Sequence, residues 1–283
     1  YRVIYESLGF VSAAEGFVLV SGIVAGVVYG GYAATPGRLA RAVRRRLRTL
    51  WGYHLVLAAA LLVALLLQIG VNLANDYFDC VKGVDTNQRL GPLRVTQSGL
   101  LAPATVRAGT LLALGLSLVP GIYLVIVGGW PVAAAGIAAL IAALAYSGGP
   151  FPLASHGLGD LFVFIFFGLV AVCGTYYVQA LEVGLVQVLA GLGPGLISVA
   201  ILCVNNLRDL EEDKGSGKRT LAVQFGKNFG RYEYLISLTA ASLLPLLLFC
   251  AGEPINLSFL TILIIPAALK PIKSVFRGAS GEE

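Results

Sequence analysis

Eight apolar segments, each near the length of a membrane span, constrain this chain more than any other feature of its sequence. A transmembrane helix needs about 20 consecutive apolar residues, because the hydrocarbon core of a bilayer is about 30 Å thick. We therefore predict an all-α, polytopic membrane helical bundle. The expected spans are 10–34, 52–75, 103–127, 131–146, 159–181, 184–204, 232–251 and 256–272.

The composition agrees with a membrane protein and argues against a soluble one. Hydrophobic residues make up 57% of the chain and charged residues only 12%, far from the usage of soluble globular domains. The net charge of +5 is expected from basic loops that face anionic lipid headgroups. We therefore expect the lipid bilayer as a partner and no nucleic acid. The four cysteines are scattered without a CxxC pair, so the spacing indicates neither a disulfide framework nor a zinc site.

Two acidic clusters follow the second and sixth predicted spans. In the first, Asn72, Asp76 and Asp79 are spaced i, i+4, i+7, so a continuing helix places them on one face. In the second, Asp209 and Asp213 are again four residues apart. Carboxylates of this kind suit Mg²⁺, which usually binds one or two of them together with substrate phosphate. We predict two magnesium sites that hold a diphosphate.

The number of spans between the clusters predicts where they lie. Four spans separate them, an even number, so both clusters are expected to face the same compartment. The loop 147–158 opens on that side as well. The alternative is that each cluster is a solvated helix end of mixed charge, because spaced charge pairs are common on helices. Two clusters on one side, each beginning with asparagine within an apolar segment, favour the functional interpretation.

Basic and glycine-bearing loops follow both clusters, at 82–99 and 214–220. Arg and Lys suit the outer oxygens of a diphosphate, Arg through two parallel hydrogen bonds. A third loop joins Tyr146 to Asp160 and contains His156. Tyr146 and His156 are candidates to face an aromatic substrate, although a simple turn between helices is equally compatible with this segment.

The order of span, acidic cluster and basic loop recurs after four further spans. We therefore expect a single domain over 1–283 that contains two four-helix pseudo-repeats, about 1–146 and 147–283. The many basic residues on the cluster side predict that this side is cytoplasmic. Six arginines in the expected loop between spans one and two fall on the opposite side and conflict with that orientation: Arg38, Arg41, Arg44, Arg45, Arg46 and Arg48.

Four stretches of the chain resemble the UbiA superfamily of intramembrane prenyltransferases. They are NLANDYFD, KGVDTNQRLGPLRVTQSG, YSGGPFPL with GLGD, and NNLRDLEEDKGSGKRTLAV, all between about residues 65 and 232. The 4-hydroxybenzoate enzymes of this superfamily usually have an Arg-Thr…Arg-Pro loop after the first motif. This chain has GPLRVTQSG at that place, which favours the branch that acts on 1,4-dihydroxy-2-naphthoate in menaquinone biosynthesis.

The resemblance implies a nine-helix bundle around a chamber that opens to lipid, in a multi-pass protein of the inner membrane. It implies Mg²⁺-dependent transfer from a polyprenyl diphosphate to an aromatic acceptor, here dihydroxynaphthoate with decarboxylation. Asp76, Asp79, Asp209 and Asp213 are the expected catalytic residues, and Asn72 and Asp85 join them as metal ligands. The expected substrate-binding residues are Asn72, Asn75, Arg94, Tyr146, Asn206, Lys218 and Arg219.

Two departures from the family pattern concern the ends of the chain. The arginine- and proline-rich entry to the first helix is not recognisable in residues 1–21, and eight spans are found where nine are expected. We expect truncation at both ends.

Other functions remain open at this point. One is a related prenyltransferase with another acceptor, namely 4-hydroxybenzoate, homogentisate, haem or a glycerol lipid. A cation-coupled transporter is a second, although its carboxylates would be expected nearer the middle of the membrane. A catalytically idle scaffold is a third.

Overall fold

The computed structural model describes residues 36–83, 94–252 and 257–278. The predicted span 10–34 and the predicted metal ligand Asp85 lie outside these residues. The chain divides into two units, residues 1–55 and 56–283. The described part of the first unit is the beginning of helix α1, and all later elements belong to the second unit.

Every regular element in the described ranges is helical, which confirms the all-α prediction. The long helices are α1 (Pro36–Val81), α2 (Pro103–Gly128), α3 (Trp130–Ala145), α4 (Gly159–Ala180), α5 (Leu185–Arg208) and α8 (Lys227–Cys250). The short helices are α6 (Leu210–Gly215) and α7 (Leu221–Phe225), and α9 (Ile264–Arg277) follows a 3-10 segment at Leu257–Leu263.

Six of these helices are long and apolar enough to cross a membrane: α1, α2, α4, α5, α8 and the segment Phe259–Arg277. Each coincides with a predicted span to within a few residues, except that α1 and α8 begin earlier than predicted. Helix α3 is apolar but shorter, as the sequence indicated. Gly129, with φ of 72°, separates α2 from α3 and allows the tight turn before Trp130-Pro131.

The arginine-rich stretch at 38–48 is helical, so its prediction as a loop between spans is wrong. Helix α1 begins at Pro36 and continues without a break. Proline is favoured at the first helical position, and Arg, Leu and Ala are strong helix formers. The loop prediction followed charge alone and ignored these propensities.

Large apolar side chains point outward along the described helices. The exposed fraction is 70% for Leu61, 71% for Val119 and 77% for Ile126. A soluble protein rarely exposes so much contiguous apolar surface, whereas acyl chains cover it at no cost. The protein is an integral, multi-pass membrane protein.

Helix α5 is central to the second unit, packed against α4 on one side and α8 on the other. At the α4–α5 contact the backbones nearly touch. A Cβ atom added to Gly168 would lie 2.6 Å from the carbonyl oxygen of Gly191 and 2.7 Å from Cα of Gly195. Close approach through small residues four apart is a common way to pack helices in membranes. Gly168 lies within Phe164–Val170, where α4 has wider, π-type turns.

We expect Gly168→Ala to destabilise the protein, because the added methyl group meets backbone that cannot move aside. Overpacking of this kind costs about 1–3 kcal/mol. The matched control is Gly174→Ala on the same helix, where an added Cβ meets nothing within 4 Å. Thermal unfolding in detergent should show a lower Tm for Gly168→Ala and an unchanged or higher Tm for Gly174→Ala. Equal Tm values for both variants would contradict this packing.

Candidate active site

The first acidic motif lies on the last turns of α1. Asp76 and Asp79 are buried, with exposed fractions of 6% and 4%. Asn75 is half-buried, and its Oδ1 accepts a hydrogen bond of 2.7 Å from the hydroxyl of Ser147. Asn72 is exposed. The predicted common face is therefore buried at its two aspartates and open at Asn72.

The Asp76 carboxylate anchors the turn at the end of the first basic loop. Its Oδ2 accepts a hydrogen bond of 3.2 Å from the backbone N–H of Val95, and its Oδ1 accepts one from the hydroxyl of Thr96. The turn thereby holds Arg94 against the motif, where Nη2 of Arg94 lies 3.3 Å from Oδ2 of Asp79. Asp76 thus positions a basic side chain at the neighbouring carboxylate.

The second motif spans the end of α5 and helix α6. Asp209 accepts two hydrogen bonds from Arg208, from Nε at 2.6 Å and from Nη2 at 2.7 Å. Asp213 is buried, and its backbone N–H donates to the carbonyl oxygen of Asp209 at 2.8 Å. Asn206 is half-buried. Of the two predicted carboxylates, Asp213 is the one that faces the first motif.

Lys218 joins the two motifs. Its Nζ lies 3.5 Å from Oδ2 of Asp79 and 3.8 Å from Oδ1 of Asp213. Its backbone N–H donates to the carbonyl oxygen of Asp213 at 2.9 Å, which holds the loop back against α6. Two motifs far apart in sequence therefore meet at one end of the helices, in agreement with the count of crossings.

The third loop lies beside the first motif. Nζ of Lys82 donates to the carbonyl oxygen of Ser147 at 2.6 Å. The phenol of the half-buried Tyr146 reaches the start of α4, next to Gly159. Burial raises the pKa of Tyr146, and the negative charges of Asp160 and Asp79 add to this shift. Tyr146 is therefore a neutral phenol that can donate a hydrogen bond.

Two residues of the loops lie away from this cluster. His156 is exposed and stacks on Phe151, with ring centroids 3.7 Å apart. The side chain of Arg219 is exposed, although its backbone N–H donates to the carbonyl oxygen of Ser155 at 3.0 Å. Arg219 thus connects two loops through its backbone.

Burial has the largest effect on the charged groups where the motifs meet. Burial raises the pKa of Asp213 to about 6, against the opposing charge of Lys218. The nearby carboxylates of Asp209, Glu212 and Asp79 raise the same pKa further. Partial burial also lowers the pKa of Lys82, an effect that Asp79 opposes and Lys218 reinforces. These shifts describe a partly desolvated site in which carboxylates and cations lie close together.

The side chains present fit a hard divalent cation. Asp76, Asp79 and Asp213 offer only oxygen ligands, and each ionised carboxylate can accept several interactions at once. Asp209 lies next to Asp213, whose backbone N–H donates to the carbonyl oxygen of Asp209. A metal bound to these carboxylates would offset their charge and could coordinate phosphate oxygens.

Residues that the sequence analysis did not select also belong to the cluster. Lys82 follows Asp79 by three residues, a helical spacing that would have placed it on the same face. Thr96 and Ser147 lie within quoted motifs but are small hydroxyl residues, which are common in any loop. Their contacts with Asp76 and Asn75 depend on the tertiary fold and have no local sequence signal.

The chain is similar to known proteins over most of its length. The UbiA prenyltransferase family matches residues 24–280. A 1,4-dihydroxy-2-naphthoate octaprenyltransferase of Haemophilus influenzae is 38% identical over 222 residues, 76% of this chain and 72% of its own length. The enzymes of the same name from Mycobacterium leprae and Escherichia coli are each 37% identical, over 76% and 80% of this chain and 73% and 77% of their own lengths.

The matched residues include both buried acidic motifs and the apolar helices of the structure. The chain belongs to the UbiA prenyltransferase family and is a membrane prenyltransferase.

Proposed function

We propose that the protein transfers a polyprenyl group from polyprenyl diphosphate to 1,4-dihydroxy-2-naphthoate, with Mg²⁺ as cofactor, in menaquinone biosynthesis. The observation that best supports diphosphate binding is the position of Lys218 between Asp79 and Asp213. It brings carboxylates and a cation to one point, which is the chemistry that a metal-bound diphosphate requires.

The residues divide into two groups according to their charge. Asp76, Asp79, Asp209 and Asp213 are the proposed metal ligands, and Asn72 and Asp85 remain predicted ones. Arg94 and Lys218 already contact Asp79 and are the proposed ligands of the outer phosphate oxygens. Lys82 lies within electrostatic range of Asp79 and Lys218. Asn75, Asn206, Tyr146 and Arg219 stay predicted substrate-binding residues.

The reaction exchanges a carbon–oxygen bond for a carbon–carbon bond. The allylic C–O bond of the prenyl diphosphate breaks, and its electron pair leaves with the diphosphate. The electron-rich naphthoate ring then attacks the allylic carbon through the ring carbon that bears the carboxylate, and the C–C bond to that carboxylate breaks, so that loss of CO₂ returns its electron pair to the ring and restores aromaticity. Mg²⁺, when bound, neutralises the charge that develops on the leaving diphosphate. Arg94 and Lys218 stabilise the same charge with preorganised hydrogen bonds, and the buried setting excludes water from the allylic cation.

Dihydroxynaphthoate is the proposed acceptor for two reasons. The relatives at 37–38% identity are named for that substrate, and the GPLRVTQSG loop resembles their branch. The neutral Tyr146 phenol lies within electrostatic range of Asp79 and Asp213, where it can donate a hydrogen bond to an acceptor oxygen. A related acceptor such as 4-hydroxybenzoate is the alternative.

We expect purified protein in lipid to attach a radiolabelled prenyl group to dihydroxynaphthoate and not to 4-hydroxybenzoate, because the loop after the first motif is of the naphthoate type. Mg²⁺ should support the reaction and EDTA should abolish it, since the carboxylates need a cation to bind diphosphate. Label on 4-hydroxybenzoate alone would overturn the acceptor. Transfer undiminished by EDTA would overturn the cofactor.

We expect Lys218→Met to weaken prenyl diphosphate binding by tenfold or more in the presence of Mg²⁺. The substitution removes a cation that lies between two buried carboxylates, and losing one partner of a buried charge pair costs about 2–5 kcal/mol. The control is Lys214→Met near the end of α6, where the side chain is exposed and binding should stay near wild type. Wild-type affinity in a folded Lys218→Met variant would contradict the role of Lys218.

We further propose that the motif-bearing loops are cytoplasmic and that the protein lies in the inner membrane. The excess of Lys and Arg around these loops is typical of the cytoplasmic side. In intact cells a membrane-impermeant maleimide should label Glu182→Cys, in the exposed turn between α4 and α5, at the opposite membrane face. Lys214→Cys should be labelled only after permeabilisation. The reverse pattern would invert the orientation.

A further inference from the structure

A second group of ligand-type side chains lies between three helices, apart from the two acidic motifs. Asp160 is at the start of α4, Cys203 is in the penultimate turn of α5 and Glu233 is in the second turn of α8. One ligand atom from each residue lies within 4.8 Å of the others. The surrounding side chains are apolar and include Val199 and Leu238. A polar cluster in such a place needs a physical reason.

The Asp160 side chain is buried without a hydrogen-bond partner in the described ranges, although the Tyr146 phenol lies within electrostatic range of it. Asp160 is 6% exposed, and neither carboxylate oxygen has a hydrogen-bond donor among the residues that the structure describes. A buried carboxylate without a hydrogen bond or a counterion is strongly unfavourable. Asp160 therefore points to an occupant that supplies positive charge.

The other two side chains identify the class of occupant. Cys203 is 1% exposed, and its thiol is directed at the half-buried carboxylate of Glu233. A thiol together with two carboxylates suits a borderline-soft ion such as Zn²⁺, whereas Mg²⁺ selects oxygen ligands. Tetrahedral zinc places its ligand atoms about 3.4 Å apart. The three atoms already lie within 4.8 Å, so small side-chain rotations complete the geometry.

We propose that Asp160, Cys203 and Glu233 form a site for a thiophilic divalent cation of the Zn²⁺ class, separate from the magnesium site of the acidic motifs. Binding replaces the thiol proton of Cys203 by a metal–sulfur bond, and the proton passes to solvent. Three protein ligands leave a fourth position for water. The ion connects the start of α4 to α5 and α8, and it thereby stiffens the segment of α5 that leads to the second motif.

The experiment uses Co²⁺ as a spectroscopic probe of the full-length protein in detergent, with excess Mg²⁺ present to fill the carboxylate motifs. A Co²⁺–thiolate bond gives a charge-transfer absorption in the near ultraviolet, which carboxylate ligands alone do not give. We expect one equivalent of Co²⁺ to develop this band and Zn²⁺ to displace it. Cys203→Ser should abolish the band, and Asp160→Asn should weaken Co²⁺ binding at least tenfold. Cys173→Ser, on α4 and outside the cluster, should retain the full band.

Glu233→Gln is the milder variant, because its side chain is half-buried and keeps its shape. It should weaken Co²⁺ binding while prenyl diphosphate binding, which reports an intact fold, stays at the wild-type level. Zn²⁺ should raise the Tm of the wild-type protein and leave that of Cys203→Ser unchanged. No band in the wild-type protein, or an equal band in Cys203→Ser, would overturn the proposal. A cluster neutralised by a shared proton would give the first of these results.

Discussion

The contacts of Lys218 with Asp79 and Asp213 are the interaction on which the arrangement of the site depends. Buried carboxylates repel one another, and their desolvation is costly unless a cation lies close by. One ammonium group between the two motifs supplies that charge and fixes the distance between the end of α1 and the loop after α6. The turn held by Asp76 adds Arg94 to the same point. Carboxylates and cations alternate here, and a bound metal and diphosphate would add a further positive and a further negative group.

Helix packing determines where these side chains are presented. The second motif is at the end of α5, and α5 is held against α4 by the close contact of Gly168 with Gly191 and Gly195. Small residues allow the backbones to approach where lipid offers no hydrophobic driving force between helices. The position of Asp213 thus follows from glycine contacts several turns away. The Asp160–Cys203–Glu233 cluster lies between α4, α5 and α8, and Cys203 is on the same helix as the start of the second motif.

Much of the fold follows from the sequence, because apolar length and helical spacing are local properties. These properties predicted the described spans and the common helical face of Asn72, Asp76 and Asp79. Contacts between distant segments have no such signal, and for that reason Ser147, Thr96 and the three-helix cluster were not predicted. The arginines at 38–48 were misassigned because charge was weighed above helix propensity. The stacking of His156 on Phe151 was not predicted, because nothing in the sequence shows it. The two pseudo-repeats, divided near residue 146, stay a prediction.

The central claim is that the two acidic motifs form one diphosphate site. A double-mutant cycle of Asp79→Asn and Asp213→Asn, with prenyl diphosphate affinity measured at saturating Mg²⁺, tests it most directly. Residues that share a ligand or a charge network are expected to be coupled by about 0.5–3 kcal/mol. We therefore predict that the loss of affinity in the double variant differs from the sum of the two single losses. Strictly additive losses would show that the motifs act independently and would contradict the shared site.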